Sequence, residues 1–300
     1  MALGAVLLVA ACSVSAGSRL SAPPSASTGT SAAEALVAIG AGLSGPAGLT
    51  ASVYATGLAN ASAFAEDAAG GLLVATAAFT DEGDDAVYFV GSARSEPLTV
   101  IDGLHTPLGL LWVGKTLFVS SAGGVAAYSD FDGSAFATRT TILALDDDAG
   151  ESNGLAMSPD GRIVLGISAP CDACAPTMSL SAAVVSFLPD GSDVRVDATN
   201  IRAPIGLAFL PGTPDLFVTM NQRDDLGEAT PGDWLGVVRL GDDWGFPACY
   251  GQEGSACAGG PAPVAVLDTH AAVSGLAFLG DPLTGGGAEA AVVAEWAGAS

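Results

Sequence analysis

Four ionisable residues stand at similar distances ahead of a recurring Gly-Leu pair. His105 lies four residues before Gly109, Glu151 three before Gly154, Arg202 four before Gly206 and His270 five before Gly275. They include both histidines of the chain and one of its nine basic residues. A carboxylate or an imidazole can take up and deliver a proton, and a guanidinium can hold an anionic or partly charged oxygen. Taken singly, each residue could merely satisfy loop carbonyls. Together they make a site only if the fold brings four distant segments to one place.

The repeat that carries them suggests such a fold. The Gly-Leu pair opens an apolar strand, and after a short turn a second apolar strand follows: Gly109–Trp112 then Leu117–Ser121, Gly154–Met157 then Ile163–Ile167, Gly206–Phe209 then Leu216–Thr219, Gly275–Phe278 then Ala290–Ala294. A copy lacking the glycine stands at Ala63 and Phe64, followed by Leu72–Thr76. Successive anchors are 46, 45, 52 and 69 residues apart. Units of about 40–50 residues made of short strands are a propeller signature. Pro-Asp-Gly turns at 159–161 and 189–191 separate apolar runs, and nothing after residue 50 keeps helical periodicity for more than two turns. The prediction is an all-β, six-bladed β-propeller with five recognisable blades, the closing blade missing or incomplete at the C-terminus. In that architecture the loop leading into each innermost strand lies at the mouth of the central channel, which would gather His105, Glu151, Arg202 and His270 into a ring.

Composition narrows the functions. Half of the 300 residues are apolar, and 40 glycines with 17 prolines supply the turns of a strand-rich domain. A net charge of −23 argues against nucleic acid as a partner. Acidic loops at Asp81–Asp85 and Asp146–Asp148 offer carboxylates to a cation, or simply a solvated surface. Residues 1–12 read as an export signal. Ala2–Ala11 is too short to span a membrane, and it ends in a lipobox-like Val9-Ala10-Ala11-Cys12 with Cys12 as the lipidation site; a simple cleavable signal is the alternative. Residues 13–48, rich in Ser, Ala, Gly and Pro, read as a flexible tether, and 49–300 as the propeller. The expected location is the bacterial cell envelope or periplasm, with membrane contact only through that lipid. The four remaining cysteines suit an oxidising compartment, with local disulfides Cys171–Cys174 and Cys249–Cys257 preferred over a metal or haem site.

Several phrases, in order, resemble the soluble glucose/sorbosone dehydrogenase family over about residues 50–300. They are Asn200–Phe209, Phe217–Gly227, Asp233–Leu235, Trp244–Gly251, the stretch Gly154–Cys174 and His270–Phe278. The resemblance implies a six-bladed propeller that oxidises a small-molecule sugar. The cofactors would be pyrroloquinoline quinone (PQQ) and Ca²⁺, with an electron acceptor that is not specified. It further implies that Arg202 contacts the cofactor and that Asn221, Gln222, Arg223 and Asp233 belong to the quinone and calcium loop. The backbone carbonyls of Gln222 and Arg223 would be the calcium ligands.

Where the family has its catalytic histidine, this chain has Glu151, making Glu151 and Arg202 the candidate catalytic pair and His105 and His270 candidate substrate contacts. Ala203 and Trp234 replace the family's asparagine and glutamate. A non-catalytic envelope propeller that binds a sugar or a protein at its channel mouth is the alternative reading. A lactonase-like propeller with an axial metal shares the fold, and here Glu151 with Asn153 offers part of a ligand set.

Overall fold

The computed structural model describes residues 36–80, 84–251, 254, 257–279 and 290–296, together with the backbone of 7–10. Apart from two 3-10 turns, Asp147–Ala149 and Gly227–Ala229, every regular element in it is a strand. β1 (Leu7–Ala10) precedes an exposed hairpin of β2 (Val37–Gly40) and β3 (Leu43–Gly45). This hairpin lies inside the segment read as a tether. Cys12 and residues 13–35 lie outside the described residues.

Four four-stranded antiparallel sheets follow. The first is β4 (Ala61–Glu66), β5 (Leu72–Thr76), β6 (Asp85–Val90) and β7 (Leu98–Leu104). The second is β8 (Gly109–Val113), β9 (Thr116–Ser121), β10 (Gly124–Phe131) and β11 (Phe136–Ala144). The third is β12 (Ser152–Met157), β13 (Ile163–Ile167), β14 (Ala183–Phe187) and β15 (Arg195–Thr199). In the fourth, β16 (Pro204–Phe209), β17 (Leu216–Met220) and β18 (Trp234–Val238) are followed by β19 (Asp242–Asp243), which leaves to pair in parallel with β15, before β20 (Ala265–Val266) completes the sheet. That excursion, with the loop 221–233, accounts for the long interval between Gly206 and Gly275. A fifth sheet pairs β21 (Val273–Leu279) with β22 (Ala290–Glu295) and carries β1 on its other side.

The innermost strands β4, β8, β12, β16 and β21 pack in sequence, each on the next. This is the radial order of propeller blades, four of them complete among the described residues. The core lies between blades rather than within any sheet. One cluster joins Leu73, Val87 and Leu117, a second Phe118, Ile163 and Phe187, and a third Val184, Ile201, Val218 and Trp234. Middle strands such as β13 and β14 are therefore covered on both faces, and all five residues of each are buried. That is why they read as continuous apolar runs and not as alternating ones.

The anchor glycines have a steric reason. A Cβ on Gly109 would sit 2.5 Å from the Asn153 carbonyl oxygen, on Gly154 2.5 Å from that of Ile205, and on Gly206 2.2 Å from that of Ser274. Each glycine lets its innermost strand touch the backbone of the next one. At Gly275, among the described residues, nothing comes within 4 Å.

Candidate functional site

A cavity of about 520 Å³ opens where the lead-ins to β12, β16 and β21 meet the connections after β13 and β17. Blade strands are antiparallel, so the second-to-third connection returns to the same end as the lead-in to the first strand. Both kinds of loop therefore face the mouth. Glu151, Arg202 and His270 line the cavity, joined by Asp172, Asp224 and Asp233. His105 is exposed and does not line it, so the expected ring of four is an arc of three.

Each side chain is positioned locally. Gly150 adopts φ +99°, and a Cβ there would collide with the Ser168 carbonyl; the turn it permits lets Ser168 donate to the Glu151 carbonyl (3.0 Å) and places residue 151 at the rim. The Arg202 carbonyl accepts from the Ala169 N–H, and its guanidinium donates through Nη1 to the Asn221 carbonyl (3.1 Å). Nε reaches the Asp172 carbonyl (3.1 Å) and Nη2 the Asp172 carboxylate (2.6 Å). Asp172 is held between the cysteines of the Cys171–Cys174 disulfide; Cys249 and Cys257 form the second.

His270 Nδ1 lies 2.8 Å from Asp224 Oδ1 and Nε2 lies 3.2 Å from the Gly227 carbonyl. Both partners are acceptors, so both ring nitrogens must carry hydrogen for the two bonds to form, and the ring is then an imidazolium. The Asp224 carboxylate, followed by the Gly227 carbonyl, raises its pKa in agreement with this. Asp233, buried at the start of β18, accepts from the Gln222 N–H (2.7 Å) and the Val273 N–H (3.1 Å), tying the fourth blade to the fifth. Burial raises its pKa, against the pull of those backbone donors.

Other expected site residues are arranged differently. Arg223 turns away from the cavity, forks onto both carboxylate oxygens of Asp225 (2.6 Å each) and lies over the Tyr250 ring. Its long side chain finds a carboxylate two residues away and an aromatic face nearby, so it does not reach the mouth. The Arg223 carbonyl, expected to bind calcium, accepts from Thr230 Oγ1 (3.1 Å). Asn221 and Gln222 line the mouth; among the described residues Asn221 Oδ1 and Gln222 Oε1 are buried without a hydrogen-bond partner, while Gln222 Nε2 donates to the Tyr250 carbonyl. Among the described residues no group of three or more His, Cys, Asp or Glu side chains is placed to hold a metal ion. Asp85, read as part of an acidic cation loop, is instead buried and accepts the N–H groups of Ala78 and Thr106; residues 81–83 lie outside the described residues.

Sequence reasoning missed Asp172 and Asp224. A signal was available in the position of the Cys171–Cys174 loop and of Asn221–Asp225 directly after a second strand.

No family model and no curated protein matches the sequence. Solved structures do resemble the fold. The PQQ-bound aldose sugar dehydrogenase of Streptomyces coelicolor is 20% identical, with a TM-score of 0.62 over 75% of this chain and 73% of that one. The calcium structure of a Trichoderma reesei carbohydrate-active enzyme of family AA12 is 17% identical, with a TM-score of 0.62 over 75% and 71%. The holo form of the PQQ domain of Coprinopsis cinerea pyranose dehydrogenase is 16% identical, with a TM-score of 0.62 over 76% and 70%. At these identities the likeness is one of fold, a β-propeller of the kind found in sugar dehydrogenases.

Proposed function

We propose that this protein is an exported sugar oxidoreductase that takes a small neutral aldose into the cavity between its third, fourth and fifth blades. The observation that carries this reading is convergence. A carboxylate, a guanidinium and an imidazolium from three successive blades share one polar cavity, in a propeller whose structural neighbours are sugar dehydrogenases. Carboxylates around the cavity suit the hydroxyl donors of a sugar. In this reading Glu151 accepts the hydroxyl proton while hydride from the same carbon leaves to a diffusible two-electron acceptor of the quinone or dye class; Arg202 and Asn221 orient the sugar oxygens, and His270 holds the 221–233 loop over the mouth. Export rests on the apolar run that precedes Cys12, and cleavage there would remove β1 from its pairing with β22. A six-bladed ring would need strands beyond those described.

PQQ, the cofactor named for two of these structural neighbours, carries three carboxylates. The described lining of the cavity holds four carboxylates (Glu151, Asp172, Asp224 and Asp233) against two cations, Arg202 and His270. Both cations are engaged by lining carboxylates, Arg202 by Asp172 and His270 by Asp224. These residues, as arranged, do not fit a trianion. Calcium meets carboxylates here but no ready cluster of ligands.

That charge balance favours a second reading, a propeller that binds sugar without oxidising it. Dye-linked aldose oxidation after incubation with PQQ and Ca²⁺, run beside calorimetric sugar binding, separates the two. Turnover supports the oxidoreductase; sugar binding without turnover supports the binding module; neither result would leave the cavity without its proposed ligand.

A further inference from the structure

The Asp172 carboxylate occupies what is in effect an anion pocket. Its Oδ1 accepts from Arg202 Nη2 (2.6 Å), both oxygens accept from the Asp224 N–H (2.9 Å each), and Oδ2 accepts from the Asp225 N–H (2.7 Å). A guanidinium beside two successive backbone N–H groups is a nest for a carboxylate, with charge-assisted bonds on one side and fixed dipoles on the other.

The donors come from the fourth blade, whereas the carboxylate comes from the third, on the short loop closed by Cys171–Cys174. The nest is also held together without Asp172. Arg202 is fixed by the Asn221 carbonyl, Asp224 by His270 and by the turn bond from Gly227 N–H to its carbonyl, and Asp225 by the fork of Arg223. Removing that carboxylate therefore leaves a preorganised set of one guanidinium and two N–H donors on the wall of the cavity.

We infer that the nest of Arg202, Asp224 N–H and Asp225 N–H is a carboxylate-binding subsite and that Asp172 is its built-in occupant, which shuts the cavity to acidic ligands. A ligand carrying a carboxylate, such as a sugar acid, enters only by displacing Asp172 one for one. A neutral sugar meets no such barrier. The selection of neutral over acidic sugars rests on the proposed sugar site, but the pocket itself does not.

The test uses the whole protein and sodium acetate as the probe, with sodium chloride at matched ionic strength as the control. Thermal melting of wild type should show no saturable shift with acetate. Asp172→Ala should melt lower and recover most of the loss with acetate, saturably. Asp172→Ala combined with Arg202→Met should lose the rescue. Asp172→Asn, which keeps the side-chain shape, serves if the alanine variant fails to fold, and it should gain weaker acetate dependence. Equal acetate shifts in wild type and variant, or no rescue in either Asp172 variant, would overturn the inference. Calorimetric titration of wild type with a neutral aldose is run separately; its failure would count against the sugar site and leave the acetate result standing.

Discussion

Asp85 and Asp233 occupy the same place in two different blades, and the contrast between their surroundings separates scaffold from site. Each begins the third strand of its blade, and each is buried. One oxygen takes an N–H from the loop after the second strand, and the other takes an N–H just ahead of the next innermost strand. The device is structural in both. The histidines beside them part company. His105, beside Asp85, is exposed at the first junction, whereas His270, beside Asp233, is clasped between Asp224 and Gly227. The difference comes from the loop 221–233, which carries Asp224 and the nest to the mouth. The propeller supplies equivalent positions, and the second-to-third connection decides which of them becomes a site.

The largest expected effect tests whether the two junctions share that device. Asp85→Ala and Asp233→Ala each leave two buried N–H groups without acceptors, so each should cost about 2–5 kcal/mol in urea unfolding. A loss at one junction alone would break the equivalence.

The anchor glycines come next. Gly206→Ala forces a methyl against the Ser274 carbonyl and should cost about 1–3 kcal/mol. Gly275→Ala, with open space around it, should stay within about 0.5 kcal/mol by the same measurement.

A smaller effect separates the junctions by pH. Burial raises the folded-state pKa of Asp233, so the native state holds that proton more tightly than the unfolded chain. Stability should rise as pH falls from neutral through the raised pKa toward the ordinary carboxylate range near 4. Glu295, also raised by burial, adds to the same slope. Asp233→Asn should remove its share, read as a flatter dependence of the urea midpoint on pH.

His270 gives the smallest and most local effect. Its raised pKa means that the clasp is fully present below about 6.5 and is lost as pH climbs through the folded value. Hydrogen exchange of residues 224–230 should quicken over that rise in wild type, and His270→Ala should be fast throughout.

Much of the scaffold was legible in the sequence because its causes are local. Ile163–Ile167 reads as a buried strand since neighbouring blades cover both faces, and Gly109, Gly154 and Gly206 mark where backbones touch. Glu151, Arg202 and His270 were found because they share one kind of loop. His105 was misplaced for the same reason: matching position along the chain does not give matching surroundings when the loop opposite is short. Arg223 was assigned to the cofactor although its nearest carboxylate, Asp225, lies two residues on. Asp172 was missed because its role depends on donors more than 50 residues away, at Asp224 and Asp225. Both strands of the fifth sheet were legible from the Gly275 repeat, but the N-terminal strand on it was not, since β1 meets β22 only by pairing across almost the whole length of the chain.

Dye-linked aldose oxidation by wild type and Glu151→Gln, each with a quinone dye as the two-electron acceptor and run with and without added PQQ and Ca²⁺, tests the central claim most directly. The account predicts turnover by wild type that falls at least about 100-fold in the variant, as expected for loss of a general base. Turnover unchanged in Glu151→Gln, or no oxidation of any aldose by wild type, would contradict it.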